Sequence, residues 1–369
     1  MRLIHERFCR VKWCFGWLLL LECLFAGISQ AAETSTAQLM QAEYHSTTDV
    51  FNLLDNLPDW LPGYTAAAYG KYWEVHIGLD KADRAALAAY AEFRQRTAPA
   101  AKAAPSGDAL APDLFAPPLT RDLDTFAEFF FSASDFQAGA AAAIAAQTPQ
   151  DRAMLRDYFS RFGPGAVRLV SAQSHFDAQR AGLASQFALP GVTRLADDIR
   201  KFYGIGKVPT FIARFVWWPD PDRTQAKVRA RYILLQGPAD GIADGSPMDW
   251  APIVLHEYTH YASAGQSAAQ RQWLSAAFLR GCPAAAALPN PLNALEEPLA
   301  IYWGQYRFEH DVRGSALSAN SEWYFKPMPD RIAKALAVAF PSTEPAPSLK
   351  NFALVSTAAA ACLQQTANK

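Results

Sequence analysis

The chain has 369 residues, of which 51% are hydrophobic, 12% aromatic and 19% charged. That much apolar side chain offsets chain entropy and excludes wholesale disorder, and the length suits about two domains or one large one. A formal charge of −1 gives no basic excess to release counterions from a polyphosphate, which argues against a dedicated nucleic-acid binder.

The chain opens with Arg2, Arg7, Arg10 and Lys12, followed by an apolar stretch from Trp13 to Ile28 that Glu22 interrupts. Ser29 and Ala31 then put small residues at the −3 and −1 positions of a cut after Ala31. This is the layout of a secretory signal peptide over residues 1–31. A membrane anchor is the rival reading, and Glu22 with the Ser-Gln-Ala end favours cleavage. Cleavage leaves 30 basic and 33 acidic residues and two cysteines, Cys282 and Cys362. In an exported chain the pair reads as one disulfide, with two buried thiols as the alternative. No other apolar stretch reaches membrane-spanning length, so the mature chain is expected in the periplasm or outside the cell.

From Asp49 to Asp59, Val50, Phe51, Leu53, Leu54 and Leu57 recur at helical spacing, and Pro58 stops the run. Asp80 to Thr97 is a second predicted helix, capped by Asp80. Residues 98–118 turn to Ala, Pro, Ser, Gly and Asp and read as an extended loop. Helices resume at Leu123–Phe131, Ala138–Gln147, Pro149–Phe162, Ser174–Ala188 and Thr193–Tyr203. Val208–Trp218 and Lys227–Gln236 are β-branched and aromatic, and the turn-rich PDPDRTQA between them makes a hairpin plausible. A Gly/Asp loop, Gly237–Asp249, leads to a helix from about Trp250, and the rest reads as helical.

That helix carries His256-Glu257-Tyr258-Thr259-His260, the pattern H-E-x-x-H. Histidines four apart share one helix face and can grip one ion through their imidazoles. Glu257, one residue round from His256, can take a proton from water and later give it to a leaving amine. Zinc suits two imidazoles, a carboxylate and an open position. The compact third-histidine extension is absent, since position 263 is Ser and 266 is Gln. Glu296 and Glu297, the latter separated from His260 by 36 residues, supply the other kind of third ligand. An ordinary acidic first turn is the bland reading of that pair.

Over His256 to Tyr302 the chain resembles the gluzincin group of zinc metallopeptidases. A second helix in that group often reads E-G-[LF]-A-x-[YF], and Glu297-Pro298-Leu299-Ala300-Ile301-Tyr302 matches it with Pro for Gly. The resemblance implies Zn²⁺ held by His256, His260 and Glu297, with Glu297 preferred to Glu296. It also implies a β-sheet before the active-site helix, with an edge strand, Arg229–Gln236, able to pair with an extended peptide. Thermolysin-like enzymes place an Asp four residues after the ligand Glu, where this chain has Ile301. Orientation of the histidines must therefore come from elsewhere. Pro298 implies a helix start or kink beside the ligand. Tyr324 and His310 are the candidate donors to a developing oxyanion.

Asp240, Asp244 and Asp249 lack EF-hand spacing and read as turns. Trp217-Trp218 and Tyr72-Trp73 read as core aromatics, and His45, His76 and His175 as incidental. The expected class is α+β: mostly helical, with a zincin-like core and a small sheet preceding the active-site helix. Residues 32–145 form a helical N-terminal region and 146–369 the catalytic domain. The expected activity is peptide-bond hydrolysis on a peptide or protein substrate. Two alternatives stand beside it: a catalytically inactive zincin-fold binding or scaffold protein, and a zinc amidase acting on cell-wall peptides.

Overall fold

The computed structural model describes residues 40–62, 64–98, 124–206, 210–220, 224–229, 232–237, 249–287, 293–341 and 352–363. The expected signal peptide, nearly all of loop 98–118 and most of the Gly/Asp loop lie outside the described residues. The described chain is mostly helical with one four-stranded sheet, an α+β architecture.

The N-terminal half contributes β1 (Met40–Tyr44), α1 (Ser46–Asn56), α2 (Ala67–His76), α3 (Lys81–Thr97), α4 (Thr125–Phe131), α5 (Phe136–Ala145) and α6 (Pro149–Gln173). Then come α7 (Asp177–Phe187), α8 (Pro190–Phe202), β2 (Phe211–Trp217), β3 (Gln225–Arg229) and β4 (Tyr232–Gly237). The C-terminal part holds α9 (Ala251–Ala264), α10 (Ala268–Gly281), α11 (Asn293–Ile301), a wider π-type turn of helix at Tyr302–Val312, α12 (Pro327–Ala339) and α13 (Phe352–Leu363).

Local chemistry sets the helix starts. Asp80 accepts from the Asp83 N–H while the Asp83 carboxylate accepts from the Asp80 N–H, a capping box at the entry of α3. Thr148 caps α6, with Pro149 in its first turn. The sequence pattern ends that helix at Phe162, yet α6 runs on through Gly163-Pro164-Gly165 to Gln173. An interior proline costs about 3 kcal/mol. The flanking glycines show what offsets it: a Cβ on Gly163 would stand 2.8 Å from the Phe136 ring, and one on Gly165 2.7 Å from the Trp73 ring. Only glycine lets these aromatics press against the helix.

The strands lie in the order β1-β2-β4-β3, with β1, β2 and β4 parallel and β3 antiparallel to β4. This corrects two expectations. The run Lys227–Gln236 is two strands, so the hairpin is β3–β4, and β2 and β4 are parallel neighbours. β4 is interior and β3 is the edge, so the edge strand is not Arg229–Gln236. The physical reason is visible in the side chains. Tyr232-Ile-Leu-Leu is buried on both faces, as an interior parallel strand must be, whereas Lys227 and Arg229 alternate with apolar residues in β3.

Two apolar cores lie on opposite faces of the sheet. Phe211, Ala213 and Phe215 of β2 join the core under α7–α9 and the C-terminal helices. Ile212 and Val216 join the core under α1–α6. The period of two along β2 thus builds three layers, helix–sheet–helix. The division between cores falls after α6 rather than at 145/146, because α6 packs with α1 and α3, and β1 belongs to the common sheet.

Buried polar groups fasten the layers. The Arg214 guanidinium donates to Thr48 Oγ1 (2.9 Å) and to the Phe131 carbonyl (2.7 Å), pairs with Glu43 and lies over the Tyr232 ring. Asp49, fully buried, accepts from the Trp217 N–H (2.8 Å) and from Ser174 Oγ (2.6 Å). Burial pushes the Asp49 carboxyl up to about 7 against those hydrogen bonds. Tyr69 donates to the Trp217 carbonyl at 2.6 Å. Trp217, Trp218 and Trp73 are buried, as expected of core aromatics. On the far face Cys282, after α10, and Cys362, on α13, stand 5.8 Å apart at Cα, within disulfide range. Among the described residues no helix is long and apolar enough to cross a membrane.

Candidate metal centre

Trp250 opens the helix that carries the motif. Its ring fills the space beside Gly237, where a Cβ would stand 2.7 Å from Trp250 Cζ2, and its indole N–H donates to Gln179. Gln186 accepts the Ala251 N–H at 2.9 Å. Helix α9 is thus aimed from the end of β4. Val254, Leu255, Tyr258 and Ala262 turn into the core, which leaves His256, Glu257 and His260 facing a cleft.

Helix α11 brings the carboxylate. Pro298 sits inside it, five residues beyond its first residue Asn293, so the helix is short and proline stands within its second turn. Glu297 Oε1 lies 3.3 Å from His256 Nε2, and Oε2 lies 3.4 Å from His260 Nε2. The two Nε2 atoms are 3.3 Å apart. Atoms bound about 2.0–2.1 Å from a tetrahedral centre stand about 3.3–3.4 Å from one another. The two imidazole nitrogens have that spacing, each faces one oxygen of the Glu297 carboxylate, and one donor atom from each of the three side chains lies within 4.8 Å of the others, so this group could hold a metal.

The closeness of the three groups couples their protonation. Burial raises the Glu297 carboxyl, but hydrogen bonds from both histidines outweigh it and hold the group well below the usual carboxylate range. Burial lowers His260, and the Glu297 carboxylate reverses this and pushes it up to about 9. Glu257 is raised by burial, with His260 and His256 opposing. A carboxyl raised in this way is a better proton carrier near neutral pH than a solvated one.

Glu296 points elsewhere. It is buried and accepts from Ser263 Oγ at 2.7 Å, clamping α11 to α9. Tyr324 comes to the centre: burial and then the neighbouring Glu297 carboxylate push its hydroxyl up, and its ring lies 20° from parallel to the His256 ring at 6.3 Å. The Tyr324 and Trp323 N–H groups both bond Asp330, which fixes that loop to α12. His310 does not join them. It lies on the π-type segment beside Asp311, at 3.2 Å, and outside the cleft lining. His45 caps α1 through Thr48, and His175 bonds the Ala172 carbonyl.

The cleft has a volume of about 1440 Å³. Its floor is α9 with Glu297, and one side is the start of β3, Gln225 and Ala226. The opposite wall is α2 of the N-terminal layer, through Lys71, Tyr72, Val75 and His76. Sequence reasoning missed this wall, because nothing in Ala67–His76 carries a motif; Tyr72, read as a core aromatic, and His76, read as incidental, in fact line the cleft.

Gly304 was also missed. It lies on the π-type segment packed across α9, and a Cβ there would stand 2.4 Å from the His256 nitrogen, 2.6 Å from its Cα and 2.8 Å from its Cβ. The glycine lets the two helices touch at the first histidine. A glycine between Trp303 and Gln305 in a helical run was the available hint.

No family model matches the chain, and no curated protein or solved structure matches it.

Proposed function

We propose that this protein is an exported zinc metallopeptidase with a gluzincin-type site. The carrying observation is the cluster of His256, His260 and Glu297, with the two Nε2 atoms 3.3 Å apart and each 3.3–3.4 Å from one oxygen of the Glu297 carboxylate, and with Glu257 beside it on the floor of a large cleft. Two imidazoles and a carboxylate are a donor set suited to zinc, and three protein ligands leave a position open for chemistry. When bound, zinc supplies Lewis acidity to a water and to a carbonyl.

The chain's own groups do the rest. Glu257 takes the proton from the attacking water, holds it, and returns it to the departing nitrogen. The Tyr324 hydroxyl, beside Glu297, donates toward the oxyanion that develops on the carbonyl. Thr224, Gln225 and Ala226 at the free edge of the sheet border the cleft, so an extended peptide can lie along them by backbone hydrogen bonds. Val75 and Phe325 offer apolar contact on the other sides. The paired Cys282 and Cys362, together with the N-terminal layout of residues 1–31, support an oxidising compartment outside the cytosol.

The test is a screen of the mature chain against linear peptides and cell-wall fragments, with and without a chelator. Cleavage of linear peptides that stops on metal removal and returns with Zn²⁺ is the expected result. Cleavage of cell-wall fragments alone would move the substrate to the amidase reading. Zinc uptake with no cleavage of any substrate would leave a binding protein.

A further inference from the structure

A histidine that binds a metal through Nε2 carries its hydrogen on Nδ1, and that N–H needs an acceptor to fix the ring. In His256 the Nδ1 atom is buried and has no hydrogen-bond partner among the described residues. The position four residues beyond Glu297 is Ile301, whose side chain has no polar atom to offer. The nearby Tyr324 hydroxyl lies in the field of the Glu297 carboxylate and makes no hydrogen bond to His256 Nδ1.

A complementary atom lies on the same wall. Gln305 Oε1 is buried and has no partner, and Gln305, like His256, lines the cleft. Gly304 brings the two helices together, since a Cβ built on it would stand 2.8 Å from His256 Cβ. Gln305 is the next residue, its Cα about 3.8 Å further on. An orphaned donor and an orphaned acceptor, both desolvated and flanking one close helix crossing, are costly apart and satisfied together.

Resting on the zinc reading above, we propose that Gln305 is the positioning residue for His256, its Oε1 accepting the Nδ1 hydrogen when the ion is held. The two atoms are not within hydrogen-bonding distance in the structure, so the bond forms by rotation of the Gln305 side chain or through one water. The π-type segment thereby substitutes, one turn later, for the carboxylate that Ile301 replaces.

The experiment measures the Zn²⁺ dissociation constant of the mature chain by chelator competition. Gln305→Leu removes the acceptor, and Gln305→Glu keeps it. Loss of such a partner weakens metal binding about 10–100-fold, so Gln305→Leu is expected in that range, with Gln305→Glu restored to about the wild-type value. Melting of the metal-free variants reports folding, and Gln305→Met replaces Gln305→Leu if the latter does not fold. In ¹⁵N-histidine spectra of the zinc-loaded chain, the His256 Nδ1 hydrogen is expected to be exchange-protected in the wild type and lost in Gln305→Leu. Wild-type zinc affinity in Gln305→Leu, or Gln305→Glu as weak as Gln305→Leu, would overturn the assignment. Failure of the wild type itself to take up zinc overturns the metal reading instead, and is told apart because no variant is needed to see it.

Discussion

Glu257→Gln keeps its zinc and loses turnover. The substitution preserves size and shape and removes only the ability to carry a proton. The three groups that could hold the ion are His256, His260 and Glu297, which the substitution leaves untouched, so the expected metal content stays at one per chain. Positioned proton transfer contributes about 10²–10⁴-fold, and kcat is expected to fall by that factor with little change in KM. Burial raises the Glu257 carboxyl while both histidines oppose it, the balance expected of a group that must accept and release one proton per cycle. Steady-state kinetics on a cleaved peptide, with metal content measured on the same samples, decide the matter. Activity near the wild-type rate would remove Glu257 from the mechanism.

Gly304→Ala separates helix propensity from packing, because the two predict opposite signs. On propensity alone, alanine inside a helix should stabilise the fold by about 1 kcal/mol. Here the new Cβ would stand 2.4 Å from the His256 nitrogen and 2.6 Å from its Cα. Non-bonded carbons prefer about 3.5–4.0 Å, so backbone must move. Overpacking of this kind costs about 1–3 kcal/mol, and the movement shifts His256 relative to Glu297. The expected outcome is a lower midpoint in urea and at least a tenfold (about 1.4 kcal/mol) weaker zinc affinity. A more stable protein with unchanged zinc affinity would show that the close crossing does not support the site.

Much of this site was legible in the sequence because it depends on local spacing. The i, i+4 histidines and the intervening glutamate follow from helix spacing, and the preference for Glu297 over Glu296 came with the gluzincin resemblance; the structure gathers His256, His260 and Glu297 while turning Glu296 to Ser263. One cap was equally legible: Asp80 starts its helix through its own side chain. What was not legible depends on partners distant in the chain. β1 is five residues long and becomes a strand by pairing with β2, some 170 residues later. Lys227–Gln236 has the composition of one strand, and only its position in the sheet divides it into an edge and an interior strand. The α2 wall, Gly304 and Gln305 gain meaning from what lies opposite them. Of the two oxyanion-donor candidates, the structure brings Tyr324 to Glu297 and leaves His310 outside the cleft lining, a distinction that no spacing rule encodes.

The central claim is that His256, His260 and Glu297 form one three-ligand zinc site. Metal content of the purified mature protein, wild type beside Glu297→Ala and Glu296→Ala, tests it most directly. The account predicts one zinc per chain in the wild type, none in Glu297→Ala, and one in Glu296→Ala. The last variant is less stable through its lost bond to Ser263, by about 1–3 kcal/mol, but keeps its metal. A wild type that takes up no zinc at neutral pH, or a Glu297→Ala variant that holds it as tightly as the wild type, would contradict the claim.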